Sequence, residues 1–201
     1  APASMKAINF LKPVLGLEFT ATPKSTNNVI YAYDLARGAV EGYLKTPVVM
    51  GRSNMAGYSS EDIEEMKIRD GLTLHEHRKG VIRQFCGDNA LPYVKPIVLI
   101  ACRDTNHAKE VRALIDSDSF LGGKYKGKVI EIHSNMKGDE SEENIRLLLS
   151  IENAQNPVEI VLHVYKLKEG WDVNNLFTII PLNAAKSDIL AMQTIGRGLR
   201  L

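Results

Sequence analysis

Pro96-Ile97-Val98-Leu99-Ile100-Ala101-Cys102-Arg103-Asp104-Thr105 reads as a strand followed by the start of a helix. Its apolar run predicts a strand buried on both faces. Asp104-Thr105 then offers an N-cap to a helix that carries Ala108, Val111 and Leu114. The same alternation continues downstream. Val129 to Ile132 reads as the next strand, and Asp139 or Ser141 as the cap of a helix carrying Ile145, Leu148 and Leu149. Glu159 to Val164 is a third strand and Leu176 to Ile180 a fourth, followed by a helix that starts near Ser187 and is stopped by Gly196. Strands without polar alternation, separated by helices, predict an α/β fold with a parallel sheet and crossover helices.

Upstream of Pro96 the pattern changes. Leu15 to Thr22 reads as a strand ending in a turn at Thr22-Pro23, Asp34 to Leu44 as a helix, and Val48 to Met50 as a short strand. Gly51 to Ser59 reads as a loop. Ser60 to Phe85 is charged, with apolar residues at Ile63, Met66, Leu72, Ile82 and Phe85, and predicts one or two helices.

The chain has 201 residues, which suits one domain and part of a neighbour. It is 44% hydrophobic and 24% charged, the composition of a globular protein with a core. No apolar run reaches the ~18 residues of a membrane span. Ala1-Pro2-Ala3-Ser4 reads as an arbitrary chain edge rather than a targeting segment, so a cytoplasmic location is expected. A net charge of +1 does not mark a nucleic-acid binder, so any such contact must come from a local groove. Cys86 and Cys102 lack metal-ligand spacing and read as buried thiols in a reducing compartment.

Three strings carry chemistry. The most specific is Gln193-Thr194-Ile195-Gly196-Arg197-Gly198-Leu199-Arg200. Two arginines three apart project to one side of a helix or turn, and a guanidinium fork matches phosphoryl oxygens. Two bare arginines would ordinarily be surface ion pairs; the full Q-x-x-G-R-x-x-R string is what changes that reading. The second string, Lys168-Glu169-Gly170-Trp171-Asp172-Val173, follows the Glu159–Val164 strand. Loops after parallel strands are where open α/β sheets hold ligands, although G-x-D alone is an ordinary turn. The third is Phe19-Thr20-Ala21-Thr22-Pro23, informative through its position ahead of the other two.

Together these strings resemble motifs VI, V and III of superfamily-two helicases. "KEGWDV" followed by "QTIGRGLRL" is most similar to the Res subunits of type III restriction enzymes, with the nucleotide-excision-repair helicases next. The resemblance covers about Leu15 to Leu201 and implies a RecA-like second lobe that lacks the P-loop itself. It divides the chain into residues 1–24, the end of a first lobe; 25–95, a linker and helical insert; and 96–201, a second lobe truncated at its C-terminus. It implies Arg197 and Arg200 as catalytic arginines, and Gly170, Asp172, Gln193 and Gly196 at the ATP. Thr20, Ala21 and Thr22 would couple ATP to nucleic acid. Arg103, Ser134, Asn135, Lys166 and Lys168 would contact the strand. ATP and Mg²⁺ would be held mainly by the first lobe, DNA would be the partner, and a methyltransferase or specificity subunit would accompany it. Superfamily-two motif V often opens with a threonine; here the stretch reads His163-Val164-Tyr165-Lys166. That leaves the contact to Tyr165, Lys166 or Lys168, or to no residue if the lysines form a solvated rim.

Other chemistries find less support. G-x-x-x-x-G-K-[ST] is absent, and Gly122-Gly123-Lys124-Tyr125 has neither the spacing nor the hydroxyl. Asp139-Glu140 reads as a helix cap rather than a magnesium-binding pair. His75-Glu76-His77 is not H-E-x-x-H, so no metal site is expected. Trp171 is expected in packing rather than in base stacking. Two rivals remain: a RecA-like module that binds DNA or a partner without an ATP cycle, and a small-molecule enzyme on a doubly wound sheet. The second should carry a Gly-rich turn after its first strand, and Cys102-Arg103-Asp104-Thr105 has none. The chain alone is expected to hydrolyse no ATP.

Overall fold

A computed structural model describes residues 3–20, 23, 28–132, 139–164, 173–182, 195, 196 and 198–200. Two compact units divide the chain, Ala1–Asp34 and Leu35–Leu201. In the first, helix α1 (Ala3–Phe10) is followed by irregular chain. The strand expected over Leu15 to Thr22 is not formed across its described residues, 15–20. Leu15, Leu17 and Phe19 are instead exposed, Phe19 to 97%. An extended segment needs a neighbour for its ladder hydrogen bonds, and no described strand pairs with it.

In the second unit, α2 is confined to Leu35–Val40, shorter than the expected Asp34–Leu44. Val48 to Met50 form no strand and are exposed, again without a pairing partner. The charged stretch that follows is one helix, α3 (Ser60–Asp88). Its start is a capping box: the Asp62 N–H donates to Ser59 Oγ at 3.1 Å and the Ser59 N–H to Asp62 Oδ2 at 3.2 Å. Replacing Ser59 by alanine should cost about 1 kcal/mol, read as a lower urea midpoint at unchanged slope. An unchanged midpoint would mean that tertiary packing alone holds the helix start.

The remaining elements are β1 (Ile97–Cys102), α4 (Thr105–Ile115), β2 (Val129–Ile132), α5 (Asp139–Leu149), β3 (Ile160–Val164) and β4 (Leu176–Pro181). The strands form one all-parallel sheet in the order β2-β3-β1-β4. From β1 the chain moves to the far edge through α4, then returns one position through α5. Crossovers of one hand put helices on opposite faces when the direction of winding reverses. The packing follows this. Val98, Ile100, Cys102, Ile160, Leu162 and Ile180 pack with Ala108, Val111 and Ile115 of α4 and with Ile68 and Leu72 of α3. Ile97, Leu99, Ile130, Ile132 and Val161 pack on the other face with Leu148 of α5 and Ile151. The fold class is therefore the α/β one expected, a parallel sheet flanked by helices as in a RecA-like lobe.

α3 crosses β4 at Gly71, where an added Cβ would lie 2.4 Å from Ile180 Cδ1. Glycine there permits the close approach that buries Leu72 completely.

Three local expectations change. Leu149 is 79% exposed, because the helix turns Leu148 inward and the core contact passes to Ile151. Asp139 is the first residue of α5 and Ser141 its third, so neither precedes the helix as a cap residue does. Ile195, Gly196 and Gly198 are helical, so the chain is not stopped at Gly196. It turns at Leu199, after Gly198 has passed over β4; a Cβ on Gly198 would lie 2.8 Å from Ile179 Cδ1. The expected start near Ser187 lies outside the described residues. Cys86 and Cys102 are free and buried, as expected. No helix among the described residues is long and apolar enough to cross a membrane.

Candidate functional site

A parallel sheet has two unlike edges, and the candidate residues divide between them. At the carboxyl end of β1, Asp104 caps α4 by accepting the His107 N–H at 2.9 Å. The Arg103 N–H donates to His107 Nδ1 at 3.0 Å, which leaves Nε2 to carry the proton and face Glu64 of α3. The other oxygen of Glu64 accepts from Arg103 Nη1 at 2.7 Å. The Arg103 side chain remains 53% exposed in this pair. Arg103 thus sits where a loop after a buried strand meets solvent, braced by a carboxylate from a second element. Burial, together with Glu64 and Glu131, pushes the neighbouring Cys102 thiol up to about 12, so it is not a nucleophile at neutral pH.

Arg200 lies at the opposite edge. The chain reaches β4 at its amino end through Val173, Asn174 and Asn175, immediately after the Gly170–Asp172 string. Asn175 is buried and its Nδ2 donates to the Lys95 carbonyl at 2.9 Å. Lys95 in turn donates to the carbonyls of Asn156 and Val158 at 2.6 and 2.9 Å. These bonds make a floor out of three separate chain segments. Leu199 is buried beside it, and Arg200 is exposed, in an antiparallel bridge with Leu44. β1 has six residues, so the two edges stand roughly 17 Å apart at about 3.3 Å per residue. Arg103 and Arg200 are therefore not brought together.

Of the other residues singled out, Thr20 is exposed on irregular chain and Gly196 is helical. Ala21, Thr22, Ser134, Asn135, Tyr165, Lys166, Lys168, Gly170, Trp171, Asp172, Gln193 and Arg197 lie outside the described residues. Sequence reasoning passed over Lys45, Lys95 and Asn175, which help build the amino edge. Their work is to satisfy carbonyls from distant segments, and no local spacing announces that.

A charged cluster lies under the amino end of β3. Glu159 accepts from Lys79 at 2.6 Å and from Lys128 at 2.8 Å, with the fully buried His75 3.7 Å away. Glu76 accepts from Lys124 at 2.6 Å and from the Tyr125 hydroxyl at 2.7 Å. Burial opposes ionisation of Glu159, but His75, Lys128 and Lys79 outweigh it and hold the carboxyl well below its usual range. Burial likewise opposes ionisation of Glu76, yet Lys124, Tyr125 and Lys79 lower it to about 2. His75 is buried while His77 is exposed on another face of α3. Among the described residues no group of His, Cys, Asp or Glu is arranged to hold a metal ion.

Folded values below the unfolded 4.5 mean that both carboxylates stabilise the fold above that pH, and that this is lost as pH falls. The urea midpoint should fall between about pH 4.5 and about 2, the interval that Glu76 spans. Glu76→Gln should flatten that fall. A slope equal to that of the unsubstituted chain would place the acid sensitivity elsewhere.

The chain is similar to the Res subunit of the type III restriction-modification enzyme EcoPI of Escherichia phage P1. Identity is 38% over 106 residues, covering 49% of this chain and 10% of that protein. It is also similar to the EcoP15I Res subunit of Escherichia coli, 38% identical over 72 residues, with 32% and 7% covered. The chain thus spans about a tenth or less of the curated relatives it matches. The likeness read from the C-terminal strings is met again in these matches. No protein-family model matches the chain.

Proposed function

We propose that this chain is the second lobe of an ATP-dependent DNA translocase of the type III restriction class, working as part of a longer protein. Arg200, with Arg197, reaches a nucleotide whose phosphates and Mg²⁺ are held by another lobe, and Gly170, Asp172, Gln193 and Gly196 border it. The observation that carries this reading is Arg200 itself. It closes the Q-x-x-G-R-x-x-R string, its side chain is exposed, and its backbone is anchored beside the amino end of β4. An exposed guanidinium on a held backbone suits the three oxygens of a phosphoryl group. When bound, ATP with Mg²⁺ supplies the bond to be hydrolysed; the chain's own part is to bring positive charge to it when the lobes close.

DNA belongs to the other edge in this reading. Arg103, held by Glu64 with half its side chain in solvent, faces the strand there; Ser134, Asn135, Lys166 and Lys168 are the further strand contacts that the resemblance implies. Separate edges let one lobe answer nucleotide and nucleic acid at once. Residues 1–24, which carry Thr20, Ala21 and Thr22, fall inside the first compact unit, Ala1–Asp34, and fit the margin of the first lobe; 25–95 then leads to the second lobe at 96–201. A methyltransferase or specificity subunit is the expected companion, and the cytoplasm the expected compartment.

The test is ATP turnover by the chain in isolation. It holds no phosphate-cradling loop, so turnover should stay at the buffer blank with or without duplex DNA. Turnover at the rate of an intact motor would overturn the two-lobe reading.

A further inference from the structure

The segment joining α2 to α3 contains a tie that its reading as a linker does not explain. α2 ends in a Schellman turn: the Gly42 N–H donates to the Ala39 carbonyl at 3.2 Å and the Tyr43 N–H to the Gly38 carbonyl at 2.9 Å. Gly42 has φ +78°, which favours glycine. The turn sends Leu44 and Lys45 antiparallel to the end of the chain, where Leu44 bridges Arg200 and the Lys45 N–H donates to the Leu199 carbonyl at 2.7 Å. The Lys45 side chain then crosses to the amino end of β4. Its Nζ donates to the carbonyls of Asn174 at 2.5 Å and Leu176 at 3.3 Å, and lies 4.4 Å from the centre of the Phe177 ring. Asn174 is held from its other side, its N–H donating to Glu152 Oε1 at 2.7 Å.

We propose that Lys45 is a positioning residue, a staple that fixes the Arg200 turn to Asn174 and Leu176, just after the Gly170–Asp172 string in sequence, and so sets where the arginine stands in the cleft. This rests on the proposed function. Among the described residues Lys45 donates to carbonyls, and its backbone and its side chain bind the two segments separately. Lys45 is half-buried, and burial lowers its proton affinity, against which Glu152 acts. Its reach explains why an insert far from both strings matters to them: Lys45 and Asn174 are 129 residues apart. Misplacing a reacting group by about 1 Å costs on the order of 10²-fold in rate, and a loosened Arg200 turn exposes the enzyme to that loss.

The experiment uses the intact protein with duplex DNA. Lys45→Met keeps the stem and removes the donor. It should lower kcat for ATP hydrolysis by about 10- to 100-fold and leave KM within about 2-fold. In an Arg200→Ala background it should cost almost nothing more, because it acts through that arginine. Equal losses in both backgrounds, or no loss, would overturn the proposal. Amide hydrogen exchange over 196–201 should rise in Lys45→Met by about 10-fold or more, as expected for a lost tie of roughly 1.4 kcal/mol; unchanged exchange would show that there is no staple. If the unsubstituted protein hydrolyses no ATP, the function itself fails and Lys45 has no catalytic role, while exchange still decides whether the tie exists.

Discussion

Arg200→Ala in the intact protein is expected to lower DNA-stimulated ATP hydrolysis by about 10³-fold or more, the scale of an arginine supplied across an interface to a transferring phosphoryl group. The loss should fall on kcat, because charge gathers on the phosphoryl oxygens as the bond breaks and the guanidinium matters most then. Arg200→Lys should recover little, since a point charge lacks the planar fork. The substitution should leave the fold intact. The bridge to Leu44 and the Leu199 carbonyl hold this turn through the backbone, which the substitution keeps, so a cooperative urea transition should persist. A loss below about 10-fold would make Arg200 a surface contact of the ordinary weak kind.

The largest stability effect is expected from Glu159→Ala. Its side chain is 10% exposed and accepts from Lys79 and Lys128, with His75 fully buried beside it. Removing one partner of a buried charge cluster leaves the others uncompensated and costs about 3–5 kcal/mol. Lys79 shows the coupling: burial disfavours its charge, yet Glu159 and Glu76 together raise its proton affinity above the ordinary value. Without Glu159 the burial penalty remains and most of the compensation goes. The urea midpoint should drop accordingly, while kcat per folded molecule should hold, because the cluster lies beneath the sheet on the α3 side and touches neither Arg103 nor Arg200. A loss below about 1 kcal/mol would mean that water or side-chain movement solvates the lysines.

What was legible in the sequence follows from what local pattern can encode. β1 to β4 coincide to within a residue or so with apolar runs of the sequence, because burial on both faces leaves such runs unbroken. α3 was read as one helix or two, since charge is spread along it and the continuity comes from the Ser59 box and the buried Ile68, Leu72 and His75. Leu15–Thr22 and Val48–Met50 have strand composition, but a strand exists only with a partner, and none pairs with them among the described residues. The site was legible as strings and not as an arrangement. Nothing in the strings themselves says that a parallel sheet sends Arg103 and Arg200 to opposite ends of its strands. Lys45 could not be found by spacing, because both strings it ties lie more than a hundred residues away.

Steady-state ATP hydrolysis by the intact protein, with and without duplex DNA, decides whether this lobe belongs to a motor. The two-lobe motor predicts turnover that rises on adding DNA and saturates with its concentration. No turnover at any DNA concentration would contradict it, and would make this lobe a module that binds DNA or a partner without consuming ATP.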